Sequence, residues 1–143
     1  MIRKFFHFLH DVSVFLYRST GGKFGGRIQG LQVLLLTTIG RKTGEERTTP
    51  LGYFIDNGNY VITASNAGRN THPAWFHNLK ANPQVKIEIK DQHTEAQAEI
   101  APPEKRNLLW TKLISLSPPY AKYATKTSRE IPMVILRPLQ GAA

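Results

Sequence analysis

Residues 37–51 read Thr-Thr-Ile-Gly-Arg-Lys-Thr-Gly-Glu-Glu-Arg-Thr-Thr-Pro-Leu. Arg41, Lys42 and Arg47 surround a turn bracketed by Gly40 and Gly44. Glycine at both ends lets the backbone take positive φ and aim several N–H groups at one point. Such a loop suits an anion. It is not a nucleoside-triphosphate loop, because there a Lys-Ser/Thr pair follows the second glycine, whereas Lys42 and Thr43 precede Gly44. Three further features carry usable chemistry: a small polar loop at Ser65-Asn66, Trp75 on a short helix, and Tyr120 and Tyr123, which share one face if their stretch is helical.

Other chemistries are missing from the chain. It has no cysteine, which removes disulfides, thiolate metal sites and cysteine nucleophiles together and is compatible with a reducing compartment, so cytoplasmic is the default localisation. Carboxylates are few, and no serine sits in a nucleophile-elbow motif. His72 and His77 lack the one-turn spacing of helical metal pairs, so no metal is expected. What remains is a binding surface.

The formal charge of +9 and pI near 10.0 concentrate anions of any kind: nucleic acid, an anionic membrane or a polyanionic cofactor. No helix-turn-helix, zinc module or aromatic ribonucleoprotein signature is present, so a nucleic-acid partner is not expected.

The elements that must position these groups follow from periodicity. Residues 1–20 read as an amphipathic helix, with Ile2, Phe5, Leu9, Val12 and Leu16 at helical spacing and Phe6, Phe8 and Phe15 widening the stripe. Two roles are open to it: packing on the domain or a partner subunit, or peripheral contact with the inner face of the cell membrane. A Gly-rich connector runs to Gly30.

Strands are expected over Gln32–Thr38, its apolar run buried on both faces, then Glu46–Ile55, with Pro50 implying an edge or bulge, and Tyr60–Ala64 after an Asn57-Gly58 hairpin turn. Pro73 opens a helix to Lys80, followed by a strand around Val85–Ile89 and a weakly pairing one over Thr94–Ile100. A helix from Pro103 places Leu108, Leu109, Leu113 and Leu116 on its apolar face, Pro118-Pro119 breaks it, and Ile131–Leu136 is the last strand. This order implies one α+β domain around a curved or barrel-like antiparallel sheet.

The motifs Leu-Leu-Thr-Thr-x-Gly-Arg-Lys-Thr-Gly-x-x-Arg, Pro-Leu, Ala-Ser-Asn-x-Gly, Pro-Ala-Trp-x-x-Asn-Leu-x-Ala-Asn-Pro and Arg-Glu-Ile-Pro-x-Val, spread from Gln32 to Pro138, resemble the deazaflavin-dependent nitroreductase family. The resemblance implies a split β-barrel with flanking helices over residues 31–139, preceded by the helix and connector (1–30) and followed by a short tail (140–143). It implies coenzyme F420, an 8-hydroxy-5-deazaflavin with a phosphate and glutamates in its tail, as cofactor.

By that resemblance Arg41, Lys42, Thr43 and Arg47 hold the tail, and Thr48, Thr49, Pro50, Leu51 and Gly52 run beneath the ring. Ala64, Ser65 and Asn66 meet the ring edge, and Ala74, Trp75, Phe76 and Asn78 contact it from their helix. Tyr120 and Tyr123 line the substrate side, where Tyr120, Tyr123, Ser65 or solvent donates a proton. The implied activity is hydride transfer to a planar acceptor, a quinone, enone or nitro compound. FMN in the same barrel, and a non-catalytic cofactor or lipid carrier, are the alternatives. The chain departs from members with an aromatic at the position of Gly52 and a tyrosine at that of Ser117. Monomer and homodimer are both open.

Overall fold

The computed structural model describes residues 13–22 and 27–139. Most of the expected N-terminal helix, residues 23–26 of the connector and the tail 140–143 lie outside the described residues.

Among the described residues there are seven strands, arranged around β2 (Leu31–Ile39). The short β1 (Arg27–Ile28) pairs on one end of it. The others are β3 (Glu46–Asp56), β4 (Asn59–Thr63), β5 (Gln84–Ile89), β6 (Gln92–Ile100) and β7 (Met133–Pro138). All pairings are antiparallel, in the order β2-β3-β4-β7-β6-β5, and β5 returns to β2 through Leu35↔Glu88 and Thr37↔Lys86. The result is a closed six-stranded barrel with flanking helices.

The apolar run of β2 is buried on both faces, as its composition predicts: Val33, Leu34, Leu35 and Leu36 are at most 2% exposed, each contributing about 1.5–3 kcal/mol. Leu34 and Leu36 point into the barrel with Ile62, Ile87 and Leu136. Val33 and Leu35 face outward under Val14 and Tyr17 of helix α1, residues 13–19.

Tyr17 Oη donates to Val33 O at 2.9 Å and accepts from Lys90 N at 2.8 Å, while Arg18 pairs with Glu88 at 2.6 Å. This part of the helix therefore packs on the barrel, through a Val14–Tyr17 face. Leu16 is only half-buried and Phe15 is 67% exposed. The polar partners available to Tyr17 turn the helix away from the stripe that apolar counting selects.

Pro50 opposes Leu35 in β3, and β4 covers only Phe54–Asp56, so Pro50 has an open strand edge beside it, where its missing N–H is harmless. The Asn57-Gly58 turn takes φ of 51° and 79°, the pair of left-handed residues a two-residue hairpin needs.

Other expectations also need correction. β6 is not a weak strand; it pairs from Gln84↔Gln97 to Ile89↔Gln92 with β5 and from Ala96↔Pro138 to Ile100↔Val134 with β7. Its inward residues Ala96 and Ala98 are small, which lets the strand sit close to the core while giving little hydrophobic signal.

Helix α3 (Pro103–Leu116) buries Leu109 and Leu113, with Trp110 and Ile114 partly covered, and leaves Leu108 and Leu116 exposed at 68% and 50%. Arg106 fixes this rotation, since its Nε donates to Ile131 O at 2.9 Å while its guanidinium lies 4.9 Å from the Trp110 ring. Helix α2 (Ala74–Ala81) and helix α4 (Tyr120–Thr125) flank the barrel, and the last strand starts two residues later than expected, at Met133. Among the described residues no helix is long and apolar enough to cross a membrane.

Candidate active site

The cationic turn joins β2 to β3, and its backbone is built differently from the expected concavity. Only Gly44 takes positive φ, 74°. Gly40 is favoured by close approach: a Cβ there would lie 2.7 Å from Thr43 Oγ1 and 3.2 Å from Glu45 O. The N–H groups are largely consumed within the protein, Gly40 N donating to Glu45 O (2.7 Å), Gly44 N to Gly40 O (2.8 Å), Glu45 N to Thr43 Oγ1 (3.2 Å) and Arg41 N to Asn78 Oδ1 (3.1 Å). Anion binding therefore falls to side chains.

Asn78 ties this turn to the barrel. It is 6% exposed on α2, and while its Oδ1 accepts from Arg41, its Nδ2 donates to Thr38 Oγ1 at 3.2 Å. Trp75, on the same helix, is 7% exposed, packs with the barrel core and still lines the cleft, so one indole serves both purposes.

The loop after β4 forms the opposing wall. Ser65 is half-buried, and the next three residues are left-handed, with φ of 49° at Asn66, 55° at Ala67 and 80° at Gly68. Asn66 Nδ2 donates to Thr71 O at 2.9 Å, closing the loop on itself.

Tyr120 and Tyr123 sit on one face of α4, as their spacing predicts, with ring centroids 5.4 Å apart at 88°. Tyr123 Oη accepts from Gln29 Nε2 at 2.8 Å. A Cβ at Gly52 would lie 3.2 Å from Tyr120 Oη and 3.3 Å from Leu31. Glycine is what allows the Tyr120 phenol to rest against β3.

Burial, followed by the neighbouring Tyr123, pushes the Tyr120 phenol up to about 12. The native state therefore keeps this proton beyond the pH near 10 at which an unfolded tyrosine releases it, and stability falls as pH rises from about 10 to about 12. The full loss amounts to about 3 kcal/mol. Urea melts across that range should show this slope, and Tyr120→Phe should flatten it; equal slopes in both proteins would refute the assignment.

These walls enclose a cleft of about 1720 Å³. Of the sequence-derived residues, Arg41, Lys42, Thr43, Arg47, Thr48, Thr49, Pro50, Leu51, Gly52, Ser65, Asn66, Ala74, Trp75, Asn78, Tyr120 and Tyr123 line it. Ala64 and Phe76 do not: Ala64 is 0% exposed and Phe76 4%, with the Phe76 ring tilted at 45° against His72, centroids 4.7 Å apart.

The sequence reading missed α1 as a wall, through Val14, Phe15 and Arg18, and also Gln29, Arg69 and His72. Five cations line the cleft (Arg18, Arg41, Lys42, Arg47 and Arg69) against one carboxylate, Glu46, which is itself paired with Lys86 at 2.9 Å. Arg18 and Arg47 have carboxylate neighbours. Arg41, Lys42 and Arg69 have none among the described residues. A donor set with more cations than carboxylates, set among aromatic side chains, fits a flat body carrying a polyanionic tail.

Comparison with known proteins gives concordant results. The family model described as F420H(2)-dependent quinone reductase matches residues 10–138. The chain is 40% identical over 132 residues to an F420H(2)-dependent quinone reductase of Mycobacterium tuberculosis (strain ATCC 25618 / H37Rv), covering 90% of this chain and 87% of that protein. A solved F420-H2 dependent reductase (FDR-A) superposes with a TM-score of 0.67 at 39% identity, covering 73% of this chain and 93% of its own. Another solved structure, described as a domain-swapped dimer, reaches a TM-score of 0.70 at 34% identity, covering 89% of this chain and 95% of its own.

Proposed function

Because the chain belongs to the F420H(2)-dependent quinone reductase family, we propose that its cleft holds coenzyme F420 and that it reduces a quinone at the tyrosine-lined end. It is an F420-dependent oxidoreductase of the split-barrel kind. The observation that carries the site assignment is the excess of cations in an aromatic-lined cleft, above all the neighbouring Arg41 and Lys42, which have no carboxylate partner among the described residues.

In this reading Arg41, Lys42, Thr43 and Arg47 grip the phosphate and glutamate tail with charge-assisted hydrogen bonds. Thr48–Gly52 form the floor beneath the ring, Ser65 and Asn66 meet its edge, and Ala74 and Trp75 flank it. Ala64 and Phe76 act from behind, by packing. When bound, the reduced deazaflavin supplies a hydride equivalent, and conversion of a quinone to a quinol takes up one further proton.

Tyr120 keeps its phenolic proton across the physiological range and so serves as a hydrogen-bond donor toward the acceptor, while Tyr123 is oriented by Gln29. Trp75 and the tyrosine pair exclude water, and the fixed walls hold the reactants close. The dimeric relative supports a homodimer. Phe15, exposed beside the cleft, supports peripheral membrane contact through residues 1–20 of a cytoplasmic protein.

The test is a fluorescence titration of the purified protein with coenzyme F420 and, in parallel, FMN, at low and moderate salt. Saturable F420 binding that weakens with salt, and quinone-dependent loss of the reduced-cofactor signal, are expected. Preference for FMN would replace the cofactor, and binding without turnover on any quinone would leave a carrier.

A further inference from the structure

We propose that Arg129 is a positioning residue that clips a strained loop into the shape the cleft requires. That this loop faces a cofactor rests on the function proposed above; the clip itself does not. Arg129 lies in the segment between α4 and β7, where Pro132 O accepts from Ala64 N at 3.0 Å, so the segment runs alongside the start of the loop.

The guanidinium engages four acceptors spread over nine residues of chain. Nη2 donates to Ala64 O (3.2 Å) and Ser65 O (2.9 Å), Nε to Arg69 O (2.9 Å), and Nη1 to His72 Nδ1 (2.9 Å). Two acceptors precede the left-handed stretch Asn66-Ala67-Gly68 and two follow it. The planar fork spans the loop and ties its ends together.

The stretch needs such a tie. Left-handed backbone is strained for any residue with a Cβ, and it persists only where the surroundings over-determine it. Gly68 bears it without cost, and a side chain there would be strained at φ of 80° and would also press its Cβ to 3.0 Å from both Lys126 Cβ and Tyr123 O. Asn66 compensates through its bond to Thr71. Ala67, at φ of 55°, has no polar side chain with which to do so.

The sequence carries no sign of this. Arg129 lies more than fifty residues downstream of the loop it holds, inside a motif that reads as the approach to the last strand. The bond to His72 also fixes that ring: an imidazole nitrogen that accepts carries no proton, so the proton of neutral His72 resides on Nε2. Burial, Arg129, His77 and Lys80 all depress the His72 pKa, which keeps Nδ1 free to accept.

Arg129→Lys separates the fork from the charge, because an ammonium is a compact point charge that cannot span four acceptors. Expected for Arg129→Lys is amide exchange about 10-fold or more faster over residues 66–72, with β2 and β7 unchanged, and a roughly 10-fold higher Kd for coenzyme F420 in the fluorescence titration. Adding Ala67→Gly, which removes the left-handed penalty, should restore most of both.

Wild-type exchange rates in Arg129→Lys would overturn the clip. Faster exchange that Ala67→Gly fails to slow would overturn the strain account, and faster exchange with unchanged F420 affinity would overturn the positioning role. If the wild-type protein binds no F420, the proposed function fails on that result alone, while the exchange measurements still decide the clip.

Discussion

Replacing Arg41 and Lys42 together by alanine is expected to weaken coenzyme F420 binding by roughly 30- to 100-fold while leaving the melting temperature nearly unchanged. Each side chain contributes about 1–1.5 kcal/mol of charge-assisted bonding after solvent screening, and the two act on neighbouring parts of one tail. Neither has a carboxylate partner among the described residues, so their removal breaks no ion pair that holds the fold. The wild-type affinity should fall as salt rises, because exposed cations are screened within about 8–10 Å at physiological ionic strength. The double variant should show a much shallower salt dependence. FMN, with a single phosphate, should lose less than F420 in the same titration. An affinity within about 3-fold of wild type, or an equal loss for both ligands, would remove the tail from this end of the cleft.

The barrel and most of the cleft were legible because local chemistry and final structure agree there. The β2 apolar run could be buried only by covering both faces, Asn57-Gly58 admits few turns, and the spacing of Tyr120 and Tyr123 survives the Pro118-Pro119 break intact. Agreement between levels of this kind is what makes a sequence readable. Where the reading failed, the deciding contact was distant in sequence. Gly40 reads as a left-handed residue, yet what favours glycine there is close approach, because Thr43 folds back onto it. The anion-binding concavity was expected from glycine spacing, but Asn78, on a helix far along the chain, already occupies the Arg41 N–H. The α1 face was set by Val33 O and Lys90 N, which accept from and donate to Tyr17. The α3 face was set by Arg106 reaching Ile131 O. The family resemblance points to Ala64 and Phe76 as cofactor contacts, while the alternation of inward and outward side chains along a strand end and a helix turns both to the core. Local pattern thus identified which segments make the site, and long-range hydrogen bonds decided which way their side chains point.

Asn78→Leu and Asn78→Asp separate stability from affinity at a side chain that links the cationic turn to the barrel. Leucine fills similar space but leaves Arg41 N–H and Thr38 Oγ1, the latter on a residue only 1% exposed, without their partner. Leaving these groups unsatisfied is expected to cost about 2–4 kcal/mol and lower the melting temperature by about 10 °C. F420 affinity should fall as well, since the turn that aims Arg41 is released. Aspartate keeps an acceptor for Arg41 N–H, and the Thr38 hydroxyl can rotate to donate to the carboxylate, so both contacts survive with reversed polarity at Thr38. Its negative charge beside Arg41 and Lys42 nevertheless offsets the field that attracts the tail. Asn78→Asp is therefore expected to melt within about 3 °C of wild type and still bind F420 about 10-fold more weakly. A wild-type melting curve for Asn78→Leu would show that the turn is held by its own internal bonds. Full F420 affinity in Asn78→Asp would show that the tail lies beyond the reach of this residue, toward Arg47.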